Sequence, residues 1–186
     1  MTDEFDIAAE TMKIRPPKSE AQAVEVARAT LNDGCRRVGA DFTDPDEDWS
    51  PMWLVVEKKV ASLLTSDVHK HVMAEAVGFY ARRHAAIAIG HLHSSWLVDY
   101  QSMSPLRAKA IQREMEATGT TEGIPERIEV LLLATYSASI AKGWTARILR
   151  REDRPPVLGL FRPMPGHGQM GGAMVDPLRA GLVKLG

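Results

Sequence analysis

Residues 85–98 read Ala85-Ala-Ile-Ala-Ile-Gly-His-Leu-His-Ser-Ser-Trp-Leu-Val98. The first half of this segment is apolar at almost every position, which is typical of a strand buried on both faces at the centre of a sheet. Alternate residues of a strand point to the same face, so the imidazoles of His91 and His93 are predicted to project together. The segment therefore predicts the central strand of a sheet, and its two histidines form a candidate functional site.

A helix is predicted upstream of this strand. Ser19 precedes Gln22 by three residues, which is the spacing of a capping box. Apolar residues then recur at helical spacing on a single face, at Val24, Ala27, Leu31, Cys35 and Val38. The helix is expected to end near Gly39, with Cys35 as a small core residue.

The remaining segments alternate between strand and helix patterns. Runs rich in β-forming residues predict strands at 52–56, 60–64, 127–136 and 143–150. Helical patterns predict helices at 67–84, 106–117 and from 176 onward. Pro155-Pro156 is expected to interrupt the strand pattern, with a short edge strand at 158–161.

Together these elements predict a single α+β domain over residues 19–186. Its core is expected to be a largely antiparallel sheet, with two hairpins plus a central strand, packed by three to four helices. Residues 1–18 are polar and end in Pro16-Pro17-Lys18, so they are predicted to form a flexible N-terminal lead-in.

The composition indicates an ordinary soluble globular protein. The 186 residues carry a formal net charge of −1, which gives no overall attraction to nucleic acid or to a membrane. A single cysteine excludes an internal disulfide framework and suits a reducing compartment. The chain begins Met-Thr-Asp-Glu-Phe-Asp, without a basic flank and an apolar run, so a cytoplasmic location is expected.

His91 and His93 have two interpretations. Neutral imidazoles bind divalent metals such as zinc, and a same-face pair leaves room for a water and a carboxylate, for which Asp99 or Glu129 is the candidate. The alternative is a pair of structural histidines, hydrogen-bonded within the sheet.

One known metal motif can be compared with the histidine pair directly. In JAB/MPN metalloproteases, a Ser and then an Asp follow a His-x-His at fixed spacing. Here those two positions are Gln101 and Ser104, so the third ligand of that motif is missing.

Three further patterns lack the context that their chemistry needs. His69 and His71 lie on a predicted helix, where their side chains diverge by about 200 degrees. Asp44-x-Asp46-x-Asp48 lacks the Gly and Glu of a calcium loop. A formal Gly-x-Gly-x-x-Gly around His167 has neither the preceding strand nor the long following helix of a dinucleotide site, which favours a surface loop.

The arginines near the C-terminus do not form one stripe. On a strand, Arg147 and Arg151 share one face and Arg150 lies on the other. No aromatic residues are interleaved with them for base stacking, so nucleic acid is a disfavoured partner.

From residue 46 to about residue 182 the chain resembles a loosely defined group of small uncharacterised bacterial α+β proteins, found mainly among actinobacteria and cyanobacteria. The segments that carry the resemblance are Asp46–Pro51, Ser95-Trp96, Pro125–Val130 and Ile148–Arg150 ahead of Pro155-Pro156. The resemblance implies a shared fold and a bacterial or phage setting. The group has no established activity, so it supplies no functional residues.

The sequence contains a well-patterned core and no complete catalytic set. We therefore expect a non-enzymatic accessory protein that contacts a protein partner or itself. The acidic loop at 41–48 and the apolar edge near 158–164 are the candidate contact surfaces. The alternative is a metal-dependent hydrolase that uses His91 and His93 as its metal ligands.

Overall fold

The computed structural model describes residues 8–66, 70–100, 103–164 and 175–185. Eight strands are present in this part of the chain: β1 Ala8–Lys13, β2 Met52–Val56, β3 Val60–Thr65, β4 Ala88–Val98, β5 Arg127–Ser137, β6 Ala141–Arg151, β7 Arg154–Leu158 and β8 Arg162–Pro163. Four helices accompany them: α1 Glu20–Ala40, α2 Lys70–Arg83, α3 Pro105–Thr118 and α4 Val175–Ala180.

The strands form one antiparallel sheet in the order β1-β3-β2-β4-β5-β6-β7, with β8 also paired to β6. Strand β4 is the fourth of the seven in this order, which confirms its prediction as the central strand. The two predicted hairpins, β2-β3 and β5-β6, are also confirmed. The predicted α+β class, with a largely antiparallel sheet and three to four helices, is therefore correct.

Each face of the sheet is covered by its own helices. Helix α1 packs on one face, here called the α1 face, over β4, β5 and β2. Helices α2 and α4 pack against each other on the opposite face, here called the α2 face. Alternate residues of β4 therefore enter two separate hydrophobic cores, which explains why its first half is apolar throughout.

Gly90 allows α1 to approach the central strand closely. A Cβ atom at this position would lie 2.7 Å from Leu31 Cδ1 and 3.2 Å from Ala27 Cβ of the helix. Any larger residue would therefore press α1 away from the sheet. The predicted capping of α1 is also confirmed, because the Ser19 hydroxyl accepts a hydrogen bond from Gln22 N at 3.2 Å.

Glu20, in the first turn of α1, joins the helix to the β5-β6 turn. Its Oε2 atom accepts hydrogen bonds from the hydroxyls of Ser137 and Ser139, each at 2.6 Å, and from Ser139 N at 3.0 Å. These hydrogen bonds lower the pKa of Glu20 below its ordinary value, and the bond from Ser137 contributes most. The carboxylate therefore stabilises the fold most when it is ionised.

Glu20→Gln is expected to lower the free energy of unfolding by about 1–2 kcal/mol at neutral pH. The reason is that a neutral amide oxygen accepts these hydrogen bonds more weakly than a carboxylate does. The pKa is depressed in the folded state, so the contribution is present above the ordinary pKa of a glutamate, 4.5, and is lost as the pH falls through the lower folded value. Urea unfolding at several pH values measures this. The exposed Glu10→Gln is the control, and an E20Q deficit that is equal at every pH would contradict the explanation.

The prediction of a flexible lead-in was wrong for residues 8–13. These residues form β1, which pairs with β3 from Ala8↔Thr65 to Lys13↔Val60. Thr11 Oγ1 lies 3.3 Å from Ser62 Oγ, and Met12 packs against the core under α1. Strand β1 occupies an edge position that only the folded sheet creates, whereas its own sequence is short and weakly alternating.

The prediction that Pro155-Pro156 interrupts the strands was also wrong. Both prolines lie within β7, where Leu149↔Val157 and Ile148↔Leu158 are paired and the register shifts next to Arg151. Strand β7 ends the main order of the sheet, so its outer side needs no amide donors and can accept proline. The short edge strand expected at 158–161 is not formed there, because Leu158 ends β7 and residues 159–161 link β7 to β8.

Candidate functional site

The two histidines of β4 lie on the α2 face, as their spacing predicts. His91 pairs with Trp53 on one side and with Ala134 on the other, and these residues face the core under α2 and α4. His91 is 2% exposed and His93 is 8% exposed. The pair is therefore enclosed in the protein and does not line an open cleft.

The rings around His91 form a buried aromatic cluster. Its ring centroid lies 5.0 Å from that of Trp53, 5.1 Å from that of His93 and 5.6 Å from that of Tyr136. Burial raises the pKa of the Tyr136 phenol far above its usual range, so the hydroxyl stays protonated. Strands β2, β4 and β5 thus bring four buried rings together.

Neither carboxylate suggested as a third metal ligand lies near this cluster. Glu129 pairs with Trp96 on β4, which places it on the α1 face, and it binds Arg150 there. Asp99 is six residues beyond His93, which corresponds to about 20 Å of extended chain. Both suggestions are therefore corrected: Glu129 lies on the opposite face of the sheet, and Asp99 lies beyond the far end of β4.

The described residues contain no group of three His, Cys, Asp or Glu side chains arranged to hold a metal ion. His69 and the segment 165–174, with His167, lie outside the described residues, and the side chain of His71 does so as well. The predictions made for these three histidines and for the glycine-rich loop therefore stay predictions.

Arg150 fastens the acidic loop to the α1 face of the sheet. Its guanidinium makes a two-pronged contact with Glu129, from Nε to Oε2 at 2.7 Å and from Nη2 to Oε1 at 2.8 Å. It also contacts Asp48 Oδ1 at 3.2 Å and donates to the carbonyl of Glu47 at 2.9 Å. The loop at 41–48 thus uses part of its charge internally.

Cys35 is buried beside a cavity of about 200 Å³ between the end of α1 and β7, which Gly39, Trp49 and Pro156 also line. Its thiol donates to the carbonyl of Asn32 at 3.1 Å, and burial raises its pKa to about 11. The thiolate is therefore scarce at neutral pH, which agrees with the prediction of a core residue.

The most exposed apolar residues of the sheet lie at its β7 end. Leu149 is 46% exposed, Val157 is 59% exposed, and Leu160, in the segment after β7, is 78% exposed. Leu149 and Val157 are paired residues on neighbouring strands, so their side chains share the α2 face. The sequence analysis placed an apolar edge at 158–164 but missed Leu149. The signal was its spacing of two residues from Arg147, which puts both side chains on the same face of a strand.

Two arginines continue the same face of the sheet. Arg162 pairs with Thr145, and Arg147 lies two residues further along β6, on the same side as Leu149. Both arginines are exposed. Leu149, Val157, Leu160, Arg147 and Arg162 are together called the β6-β7 surface below. Arg150 lies on the other face, as the strand periodicity predicts.

No family model, no curated protein and no solved structure matches this chain. Among the described helices, none is long and apolar enough to cross a bilayer. The geometry of the molecule is therefore the basis for a functional proposal.

Proposed function

We propose that this protein is a non-enzymatic accessory protein that binds a protein partner through the β6-β7 surface. The observation that carries the proposal is the exposed cross-strand pair Leu149–Val157, with the exposed Leu160 three residues after Val157 in the chain. Large apolar side chains that cluster at one place on a surface are typical of interaction sites, whereas scattered ones need no explanation.

The β6-β7 surface is favoured over the acidic loop as the contact site. In the loop, Glu47 Oε2 accepts hydrogen bonds from the amides of Thr43 and Asp44, and Asp48 pairs with Arg150. A partner would have to compete with these internal contacts. On the β6-β7 surface, the apolar side chains already face solvent, so their burial by a partner would contribute directly to affinity.

The double variant Leu149→Ser/Val157→Ser is expected to weaken partner binding by about ten-fold or more, because each side chain loses its apolar contact. Folding stability is expected to change little, since both residues are exposed in the free protein. The measurement is quantitative affinity purification from the native host, with recovery of each co-purifying protein compared between variants. Urea unfolding confirms that the double variant is folded.

The matched control is Phe79→Ser/Leu106→Ser, which removes two exposed apolar side chains on α2 and α3 instead. It should leave partner recovery unchanged. Equal losses in both double variants, or a protein that remains a monomer with no co-purifying partner, would contradict the proposal. Light scattering after size exclusion shows whether the protein binds a second copy of itself instead of a different protein.

A metal-dependent hydrolase is the second candidate, because two buried imidazoles lie side by side on one strand. This function requires at least one further ligand from outside the described residues. Elemental analysis of the purified protein tests it. About one equivalent of zinc, lost in His91→Gln, would support it, and metal-free protein that is not stabilised by added zinc would count against it.

A further inference from the structure

We propose that the partner of the β6-β7 surface presents an acidic segment with an apolar residue beside its carboxylates. This inference rests on the proposed function and adds the chemistry of the ligand. Two arginines lie on the same face of the sheet as the apolar pair.

Arg147 and Arg162 lie close to each other on one face of the sheet. Arg162 lies opposite Thr145, and Arg147 is the next residue of β6 on that face, so the two are diagonal cross-strand neighbours. The Cα atoms of such neighbours are about 7–8 Å apart, within reach of two long side chains that converge on one ligand. Guanidinium groups bind carboxylates with two parallel hydrogen bonds.

Arg147 and Arg162 differ in their ion pairing from several other arginines of the protein. Arg28, Arg107 and Arg150 each form an ion pair with a glutamate. Within the described part of the chain, neither Arg147 nor Arg162 forms an ion pair. Their positive charge is therefore available to attract an acidic partner and to fix its orientation.

The charged and the apolar side chains of this surface follow one another along β6. The arginines occupy one half of the surface, and Leu149 with Val157 occupies the other, one side-chain repeat or about 7 Å away. An extended acidic segment that carries one apolar side chain would satisfy both halves at once. Nucleic acid fits less well, because aliphatic side chains offer no flat surface on which bases stack.

The test replaces Leu160, which belongs to the β6-β7 surface, with a photo-crosslinking amino acid in the protein expressed in its native host. The crosslinked peptide is identified by mass spectrometry. We expect a peptide of another protein with a clear excess of Asp and Glu over Lys and Arg. We also expect Arg147→Glu/Arg162→Glu to lower the yield by about ten-fold or more and Arg147→Lys/Arg162→Lys to lower it less.

The charge control is Arg83→Glu/Arg113→Glu, which reverses two exposed arginines on α2 and α3. A neutral or basic peptide, a crosslink to residues 41–48 of a second copy, a crosslink to nucleic acid, or a yield unaffected by Arg147→Glu/Arg162→Glu would each overturn the inference. Partner recovery that depends on Leu149 and Val157 but not on the arginines would overturn it while leaving the proposed function standing. If no crosslink forms, and if partner recovery is unchanged by substitution of either the apolar pair or the arginine pair, the inference and the proposed function would both be overturned.

Discussion

Trp49→Ala is expected to lower the free energy of unfolding by about 3–5 kcal/mol, the largest stability effect we predict for a single substitution. The indole is fully buried under α1, and its Nε1 donates to the carbonyl of Cys35 at 2.7 Å. Phe42 packs edge-on against it, with ring centroids 4.8 Å apart. The truncation would therefore leave a cavity and remove the hydrogen bond that ties the indole to the last turns of the helix.

Gly39 shows how tightly this indole is held. A Cβ atom at residue 39 would lie 2.6 Å from Trp49 Cζ2, so the helix approaches the ring without any space between them. Trp49→Phe should cost less than Trp49→Ala, because it keeps most of the apolar volume and loses mainly the hydrogen bond.

Chemical denaturation of the variants, followed by circular dichroism, measures the effect. Trp96→Ala is the matched control, because Trp96 is a tryptophan that is partly exposed and lies against the Arg127 guanidinium. We expect Trp96→Ala to lower the free energy of unfolding by about 1 kcal/mol. If Trp49→Ala lowered the free energy of unfolding no more than Trp96→Ala does, the Trp49 indole would not be an important part of the core.

The fold could be predicted where the signal is local. Strand β4 is apolar on both faces, α1 begins at a capping box, and α3 lies between a proline at its start and Gly119, with φ +70°, at its end. Each of these features depends on residues within a few positions of one another. The sequence therefore contained enough information to place the central strand and most helix boundaries.

The edge strands could not be predicted, because their stability comes from partners far along the chain. Strand β1 is held by β3, about fifty residues away, and β7 tolerates Pro155 and Pro156 because it ends the main order of the sheet. Propensity favours neither segment as a strand. The pairing of strands in space decides both.

The same distinction applies to the candidate site. The alternation of a strand correctly placed His91 and His93 on one face, but it could not reveal that Glu129, on the neighbouring strand, faces the opposite way. The exposed pair Leu149–Val157 depends on a register that includes an irregularity near Arg151. Only the paired sheet shows that the two side chains meet.

Arg150→Ala is expected to lower the free energy of unfolding by about 2–3 kcal/mol, less than a fully buried ion pair would cost because the guanidinium is about one-third exposed. Glu129 is the less exposed partner and would be left without its two hydrogen bonds. The carbonyl of Glu47 would lose its donor as well. The acidic loop would then be held mainly by Trp49.

Arg147→Ala is the matched control for this prediction. Arg147 lies on the same strand but on the opposite face, where it is exposed and forms no ion pair within the described part of the chain. Its replacement should change stability by no more than about 0.5 kcal/mol. The two substitutions remove the same charge, so urea unfolding at one salt concentration separates the contact with Glu129 from an effect of net charge.

The Arg150 prediction can be tested further with a double variant. Arg150→Ala/Glu129→Gln removes the carboxylate that Arg150→Ala leaves unpaired, so it should be less destabilised than the sum of the two single variants. Additive losses would show that the two-pronged contact contributes little. In that case Asp48 and the loop carbonyls, rather than Glu129, would be the contacts through which Arg150 stabilises the fold.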